Sequence, residues 1–460
     1  MTNPFQRRAK QDGRHTPNLW PVWLVAPAAL LLVGAAAYGL YHGAESLLAK
    51  ESPGKPVKVQ DAISTTVTTL TLIGAVLAAL YAYRKQLLDE GTSHRADAAQ
   101  LTERYAKAAE QLGHDQAAVR LAGVYAMARL ADDWPEQRQV CVDVLCAYLR
   151  MPYAVVPAEP GFRHGEREVR LTIIRTIRDH LQNPATSTTW CGLNFNFSGA
   201  TFDGGDFSGS TYTRGQVDFS DSTFVAGRVD FSGSKFVGSN VDFTGSTFVA
   251  GRVDFSGSTY TRGQVYFNRS KFVGSMVDFN RSTYTGGQVD FSDSTYTRGQ
   301  VDFTGSTFGG SRVDFNRSTY TGGQVDFSDS LFSGGQVSFN GSTFDGSKVY
   351  FAGSAFSGCQ VYFNRSRYTG GQVYFNGSTF DGGQVNFDRS TFDGSKVYFA
   401  GSAFSGCEVD FGGSVFSGGE VNFANSMDIS GTVSFQHSRV ETSALINWGP
   451  FPAVTPDTRP

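Results

Sequence analysis

Residues 206–445 are one 12-residue unit repeated twenty times without an insertion. The first copy reads Asp206-Phe-Ser-Gly-Ser-Thr-Tyr-Thr-Arg-Gly-Gln-Val217. So short a period restricts the chain to a solenoid, because each unit can bury its apolar side only against its neighbours. Numbered from Asp206, position 2 is Phe and position 5 is Ser in all twenty copies. Position 7 is Phe or Tyr in eighteen; only Asp428 and Val440, in the last two copies, depart. Position 12 is Val nineteen times and Leu445 once, and position 10 is nearly always Gly or Ser.

Strand alternation predicts the side-chain directions. Gly215, Val217 and Phe219 lie two apart and share one side of a short strand. Ser222 and Phe224 share the same side of a second strand. Gly and Ser at positions 3, 4, 8 and 9 predict corners. Cys359 and Cys407 fall at position 10 and read as small inward side chains.

Phe-x4-Phe/Tyr spacing with a small residue two before the aromatic resembles the pentapeptide-repeat family. Ser222-Thr-Phe224-Val-Ala226 and Val217-Asp-Phe219-Ser-Asp221 carry the resemblance, which covers about 194–445. It implies a right-handed, four-sided (quadrilateral) β-helix with aromatic rings stacked along its axis. The departure is two extra residues per pair of pentads. Two units then make one coil, about 24 residues long. This predicts about ten coils and Phe207 stacked on Phe231, with alternating long and short sides. A three-sided helix of six-residue steps needs an apolar residue every sixth place, and the sixth residue from Val217 is Thr223.

The fold class is therefore α + β, because helices precede the solenoid. Residues 1–18 are polar and carry Arg7, Arg8, Lys10 and Arg14. Residues 19–41 are 23 positions without a charge, and a second uncharged run covers about 62–83. Each is long enough to cross ~30 Å of hydrocarbon, with aromatic residues near the ends of the first. The two runs predict a transmembrane hairpin over 19–91. Lys and Arg flanks favour both ends inside. Residues 92–190 read as a helical adaptor of three or four short helices, and 446–460 as a C-terminal cap and tail.

Composition narrows the function. Charge is 18% of residues and the net charge is −3, which argues against a global polyanion-binding surface. Five cysteines in so long a chain fit a reducing compartment rather than a disulfide framework. No metal, cofactor or catalytic motif is found: HExxH, a phosphate-cradling loop and a nucleophile elbow are all absent. The chain is not expected to be an enzyme.

What remains are the outward columns. In a coil of two units, position 1 of alternate units forms one column: Asp206, Asp230, Asp254, Asp278, Asp302, Asp326, Tyr350, Tyr374 and Tyr398. This column is the candidate interaction surface, although Asp before the central Phe also reads as an ordinary outward residue. The helices followed by repeats resemble membrane-anchored pentapeptide-repeat proteins of actinobacteria. The expectation is a multi-pass membrane scaffold, its repeats on the cytoplasmic side, binding an unnamed protein partner or a second copy. One alternative, implied by the family, is an acidic DNA-mimic rod acting on a type II topoisomerase. Another is an anchoring subunit of a transport or cell-envelope complex. Direct binding of nucleic acid is not expected.

Overall fold

The computed structural model describes residues 59–453 except 429, together with parts of 31–50. The polar N-terminus, most of the first uncharged run and the tail after 453 lie outside the described residues. The chain divides into two units, Met1–Ala99 and Gln100–Pro460.

In the first unit, the second uncharged run belongs to helix α1, Val59–Leu112. Its stretch Thr66–Gln86 is long and apolar enough to cross a membrane, and none of it is buried against protein. Ile63, Val67, Leu77, Leu80 and Tyr81 are all exposed. Two of its Thr hydroxyls bond within the helix: Thr68 Oγ1 donates to Ser64 O at 2.9 Å, and Thr71 Oγ1 donates to Val67 O at 2.8 Å. Among the described residues this is the one stretch of such length and apolarity.

The second unit begins with the end of α1 and continues through α2 (Ala117–Asp133), α3 (Arg138–Arg150) and α4 (Glu166–Leu181). Ala108, Val124, Met127, Leu145, Ile173 and Ile177 form their common core. Arg120 is fully buried at its centre, 3.2 Å from Glu166, which also accepts from Tyr148 Oη at 2.9 Å. Trp190, stacked on His180 at 4.1 Å, joins this core to the repeats.

Each 12-residue unit then makes two three-residue strands, at positions 6–8 and from 11 to position 1 of the next unit, as in Thr211–Thr213 and Gln216–Asp218. Positions 10 and 2 thus flank the second strand, with their side chains on its inner side. The two strands are joined by a short corner at 9–10, and successive units by a longer one at 2–5. The sides are alike in strand length, so the two residues beyond the pentad plan widen alternate corners rather than lengthen alternate sides.

Two units complete one coil. Thr211 pairs with Lys235, Gln216 with Asn240, Thr223 with Thr247 and Arg228 with Arg252, always in parallel and always two units further along the chain. Four parallel ladders result, numbered here in the order in which these strands occur. The third and fourth hold 11 strands each, which gives a solenoid of about ten coils. The first and second merge where Leu331–Ser338 and Ala355–Tyr362 run through the short corner as single strands.

Aromatic columns fill the interior. Phe207 stacks on Phe231 with ring centres 4.8 Å apart and planes within 2°. Phe219 stacks in the same way on Phe243, and Phe224 on Phe248. Burying each ring contributes about 2 kcal/mol. Ring columns that end bare would expose apolar faces. At the far end Phe451 packs edge-on against Phe404 and Phe423, and Trp448 against Phe435.

The invariant Ser at position 5 ties one coil to the next. Ser246 Oγ donates to Phe219 O at 2.7 Å and accepts the N–H of Ser222 at 3.2 Å. It therefore adds a partner to both backbone groups that the preceding coil's corner turns inward, which also bond to each other at 3.2 Å. Buried backbone groups of this kind are costly to leave unpaired.

Corner positions 4 and 9 adopt the left-handed conformation. Glycine is free there, whereas a residue with a Cβ costs about 1 kcal/mol. Fifteen described non-glycine residues nonetheless hold positive φ, and eight of them are arginines: Arg214, Arg262, Arg269, Arg281, Arg298, Arg317, Arg365 and Arg389. Position 10 has a different restriction. A Cβ on Gly227 would meet the carbonyl oxygen of Asp203 at 2.1 Å, so the preceding coil favours glycine there, while Ser239, Cys359 and Cys407 fit the same position in other coils.

Candidate interaction surface

The fourth ladder brings the candidate column together in register. Asp206 lies against Asp230, Asp230 against Asp254, Asp254 against Asp278, Asp278 against Asp302 and Asp302 against Asp326. Asp326 is followed by Tyr350, Tyr374 and Tyr398. Each strand here places Val inside, at position 12, between two outward side chains at positions 11 and 1. A second outward column therefore runs beside the first: Arg228, Arg252, Met276, Gln300, Gln324, Lys348, Gln372 and Lys396.

Local structure accounts for the aspartates first. Asp218 Oδ1 accepts the N–H of Ser220 at 2.8 Å, and Asp254 Oδ1 accepts that of Ser256 at 2.9 Å. Asp at position 1 thus closes the start of the long corner, as Asx turns do.

The second carboxylate oxygen is mostly engaged as well. Arg178 of α4 pairs with Asp206 at 2.6 Å. Arg228 bridges Asp230 at 3.0 Å and Asp254 at 2.7 Å, and Arg252 bridges Asp254 at 3.2 Å and Asp278. Asp254 and Asp278 are 1% and 0% exposed, so two members of the outward column are covered. Burial works against the charge of Asp254, but hydrogen bonds from Ser256 and the charges of Arg252 and Arg228 outweigh it, leaving its pKa below the ordinary value. Burial dominates at Asp278, with Asp254 and Asp302 acting in the same sense, and its pKa is raised. Asp302 and Asp326 form no ion pair among the described residues; Asp326 accepts from Gln324 Nε2 at 3.3 Å.

The tyrosines form a ladder of a different kind. Tyr350 stacks on Tyr374 at 4.8 Å and Tyr374 on Tyr398 at 5.3 Å. Their ring faces cover one another, so the surface offers ring edges and hydroxyls rather than a platform on which a flat ligand could stack. Tyr374 Oη donates to Gln372, and Tyr398 Oη to Glu420 at 3.4 Å. Lys348 and Lys396 stand beside the rings. The column thus changes along its length from charge-paired carboxylate to polar aromatic.

The arginines that cover Asp254 and Asp278 were visible as Arg-Val-Asp at 228–230 and 252–254. Two residues apart, Arg and Asp share the outer side of one strand. The bridge from Arg228 to Asp254, in the next coil, depends on the coil length.

No group of three His, Cys, Asp or Glu side chains able to hold a metal occurs among the described residues. Cys359 and Cys407 are buried at position 10, and burial pushes both thiols up to about 12. They are not thiolate nucleophiles at neutral pH. The surface can pair charges and donate hydrogen bonds, and nothing in it pairs a nucleophile with a base.

No family model matches the chain, and no curated protein matches it. Among solved structures the chain is similar to trypsin-treated QnrB1, a plasmid-mediated fluoroquinolone resistance protein. The identity is 15%, over 50% of this chain and 84% of that chain, with a TM-score of 0.15. A score of that size carries no argument; the solenoid stands on its own register and ring stacking.

Proposed function

We propose that this chain is a non-enzymatic, membrane-anchored scaffold of the pentapeptide-repeat type that holds a protein partner at the inner face of the membrane. One observation carries the reading. Every position fixed in the repeat is consumed by the fold, and variety is confined to outward columns on continuous ladders. Such a surface suits contact along a length rather than enclosure of a small substrate. The exposed apolar stretch Thr66–Gln86, with the Thr68 and Thr71 hydroxyls bonded to carbonyls of the same helix, supports an anchor in lipid.

The acidic-rod alternative requires a bare row of carboxylates. Arg178, Arg228 and Arg252 pair four of the six aspartates in the column, which weakens it. An anchoring subunit of a transport or envelope complex differs from the favoured reading only in the partner's identity.

A photo-crosslinking residue in place of Tyr374, in the full chain within intact cells, tests the reading. A discrete protein adduct from position 374, absent when the same group replaces the buried Phe375, is the expected outcome. Equal labelling from both positions, or none from any outward column, would remove this surface as a partner site.

A further inference from the structure

The long corner between the fourth and first ladders changes character in its far half. Positions 1, 3, 4 and 6 of the units starting at Tyr350, Tyr374 and Tyr398 read Tyr-Ala-Gly-Ala, Tyr-Asn-Gly-Thr and Tyr-Ala-Gly-Ala, without a charge. Over the same coils the other long corner carries Arg365, Arg367, Asp388 and Arg389. The position-6 column ends on two large apolar side chains, Leu331 and Met427, which are 46% and 64% exposed. They stand two coils before and two coils after Thr379, in register on one ladder.

The residues are mirrored about that central coil. Tyr350-Phe-Ala-Gly-Ser-Ala-Phe-Ser-Gly-Cys359 recurs unchanged as residues 398–407. Beyond these, Asp326, Ser328, Asp329 and Leu331 take the outward positions on one side, and Asn422, Ala424, Asn425 and Met427 on the other. Leu331 thus mirrors Met427, Ser328 mirrors Ala424, and each aspartate mirrors an asparagine. Contact with a different protein has no need of mirrored order. A two-fold contact does, because each residue of one copy then meets its mirror residue in the other.

We infer that this corner, from Asp326 to Met427, is a two-fold contact between two copies of the chain, with their solenoids antiparallel. The axis crosses the coil of Tyr374 and Thr379. Leu331 then packs on Met427 of the second copy, and the alanines at 352, 355, 400 and 403 let the corners approach. Asn376 of each copy lies at the axis, where the two amides can donate to one another. Asp326 and Asp329 meet amides, and lie about 19 Å from the same pair in the second copy, beyond the ~8 Å screening length.

The remaining charges sit farther from the corner, at the rim. Lys348, Lys396 and Glu420 lie behind position 1, and Asp381 lies beyond Thr379. Asp428 is turned into its own loop, where it accepts the N–H of Gly431 at 2.6 Å. The axis sets Lys348 opposite Lys396 and Asp381 opposite itself, which keeps the contact weak. Its area agrees: a strip five coils long and six residues wide covers about 400 Å² per copy, short of the ~800 Å² per partner of a stable complex. Chains anchored in one membrane meet at raised effective concentration, so a contact of this size suffices there. The inference rests on the scaffold reading and names the partner at the tyrosine end of its surface.

Disulfide trapping of the full chain in isolated membranes tests it, because all five native cysteines are buried. Asn376→Cys should give a linked dimer on mild oxidation. A mixture of differently tagged Ala352→Cys and Ala400→Cys chains should give the mixed dimer. Ala352→Cys alone should give about tenfold less, because its two cysteines lie about 10 Å apart across the axis, out of disulfide reach. Raised salt should increase the yield by screening the rim charges. Failure of both Asn376→Cys and the mixture to form a dimer, or as much dimer from Ala352→Cys alone as from the mixture, would overturn the inference. A photo-adduct of position 374 with a different protein, without any trapped dimer, would overturn it and leave the scaffold reading standing.

Discussion

Replacing Phe303 with alanine is expected to destabilise the solenoid by about 4 kcal/mol, in the range for removing a buried aromatic. Phe303 is fully buried, stacked 4.8 Å from Phe279 and 4.7 Å from Phe327. It also meets Phe291 edge-on at 6.1 Å. A compact domain could relax around such a cavity from several directions. Here the ladders above and below hold the coil spacing, so the gap stays open. Stability in an array is the sum of coil terms and nearest-neighbour terms, and this change weakens two neighbour contacts at one point. Thermal unfolding of the variant should therefore split into two steps, with the coils on either side melting separately. A single transition displaced by a degree or less would mean that the ring columns are not the main source of cohesion.

The second large effect belongs to a smaller side chain. Ser318→Ala removes the hydroxyl that donates to Phe291 O at 2.9 Å and accepts the N–H of Ser294 at 3.2 Å. Two backbone groups are left buried and unpaired, at about 1–3 kcal/mol each. A loss of about 3 kcal/mol is expected, read as a lowered midpoint in denaturant. Ser328→Ala, at the outer position 3, is the control. There the backbone N–H, not the hydroxyl, bonds to Asp326 Oδ1, so the midpoint should stay within error of the parent. Equal effects of the two changes would show that the invariant Ser is kept for its size alone.

These two residues also mark what could be read from the chain beforehand. The Phe columns were legible because a 12-residue period with fixed aromatics leaves few ways to close, and Phe207 against Phe231 follows from a two-unit coil. The register of the Asp/Tyr column follows from the same closure. The role of Ser was not legible, although its constancy was plain. The carbonyl of Phe291 and the N–H of Ser294 that Ser318 engages both belong to the preceding coil, and such offsets acquire meaning only once the corner's geometry is known. The burial of Asp254 and Asp278 was missed for a related reason. It depends on Arg228 and Arg252 reaching across to the next coil, an interaction between coils rather than within a motif. The excess of arginine at corners is written in the sequence, yet only the backbone angles show that each one is strained.

The helices show a different limit. The pattern of α2 to α4 is ordinary helical periodicity, and it does not announce that Arg178 will pair with Asp206 or that Ile174 will press against Gly205 at the first coil. Both contacts arise because unpaired ladder edges at the start of a solenoid need a cover. The apolar stretch of α1 was legible from its length and composition.

Extraction of the full chain from cell membranes is therefore the most direct test of an anchored scaffold. After an alkaline carbonate wash the chain should remain in the membrane pellet, and protease added outside intact cells should leave the repeats whole. Recovery of the full chain in the soluble fraction, or digestion of the repeats from outside, would contradict the account.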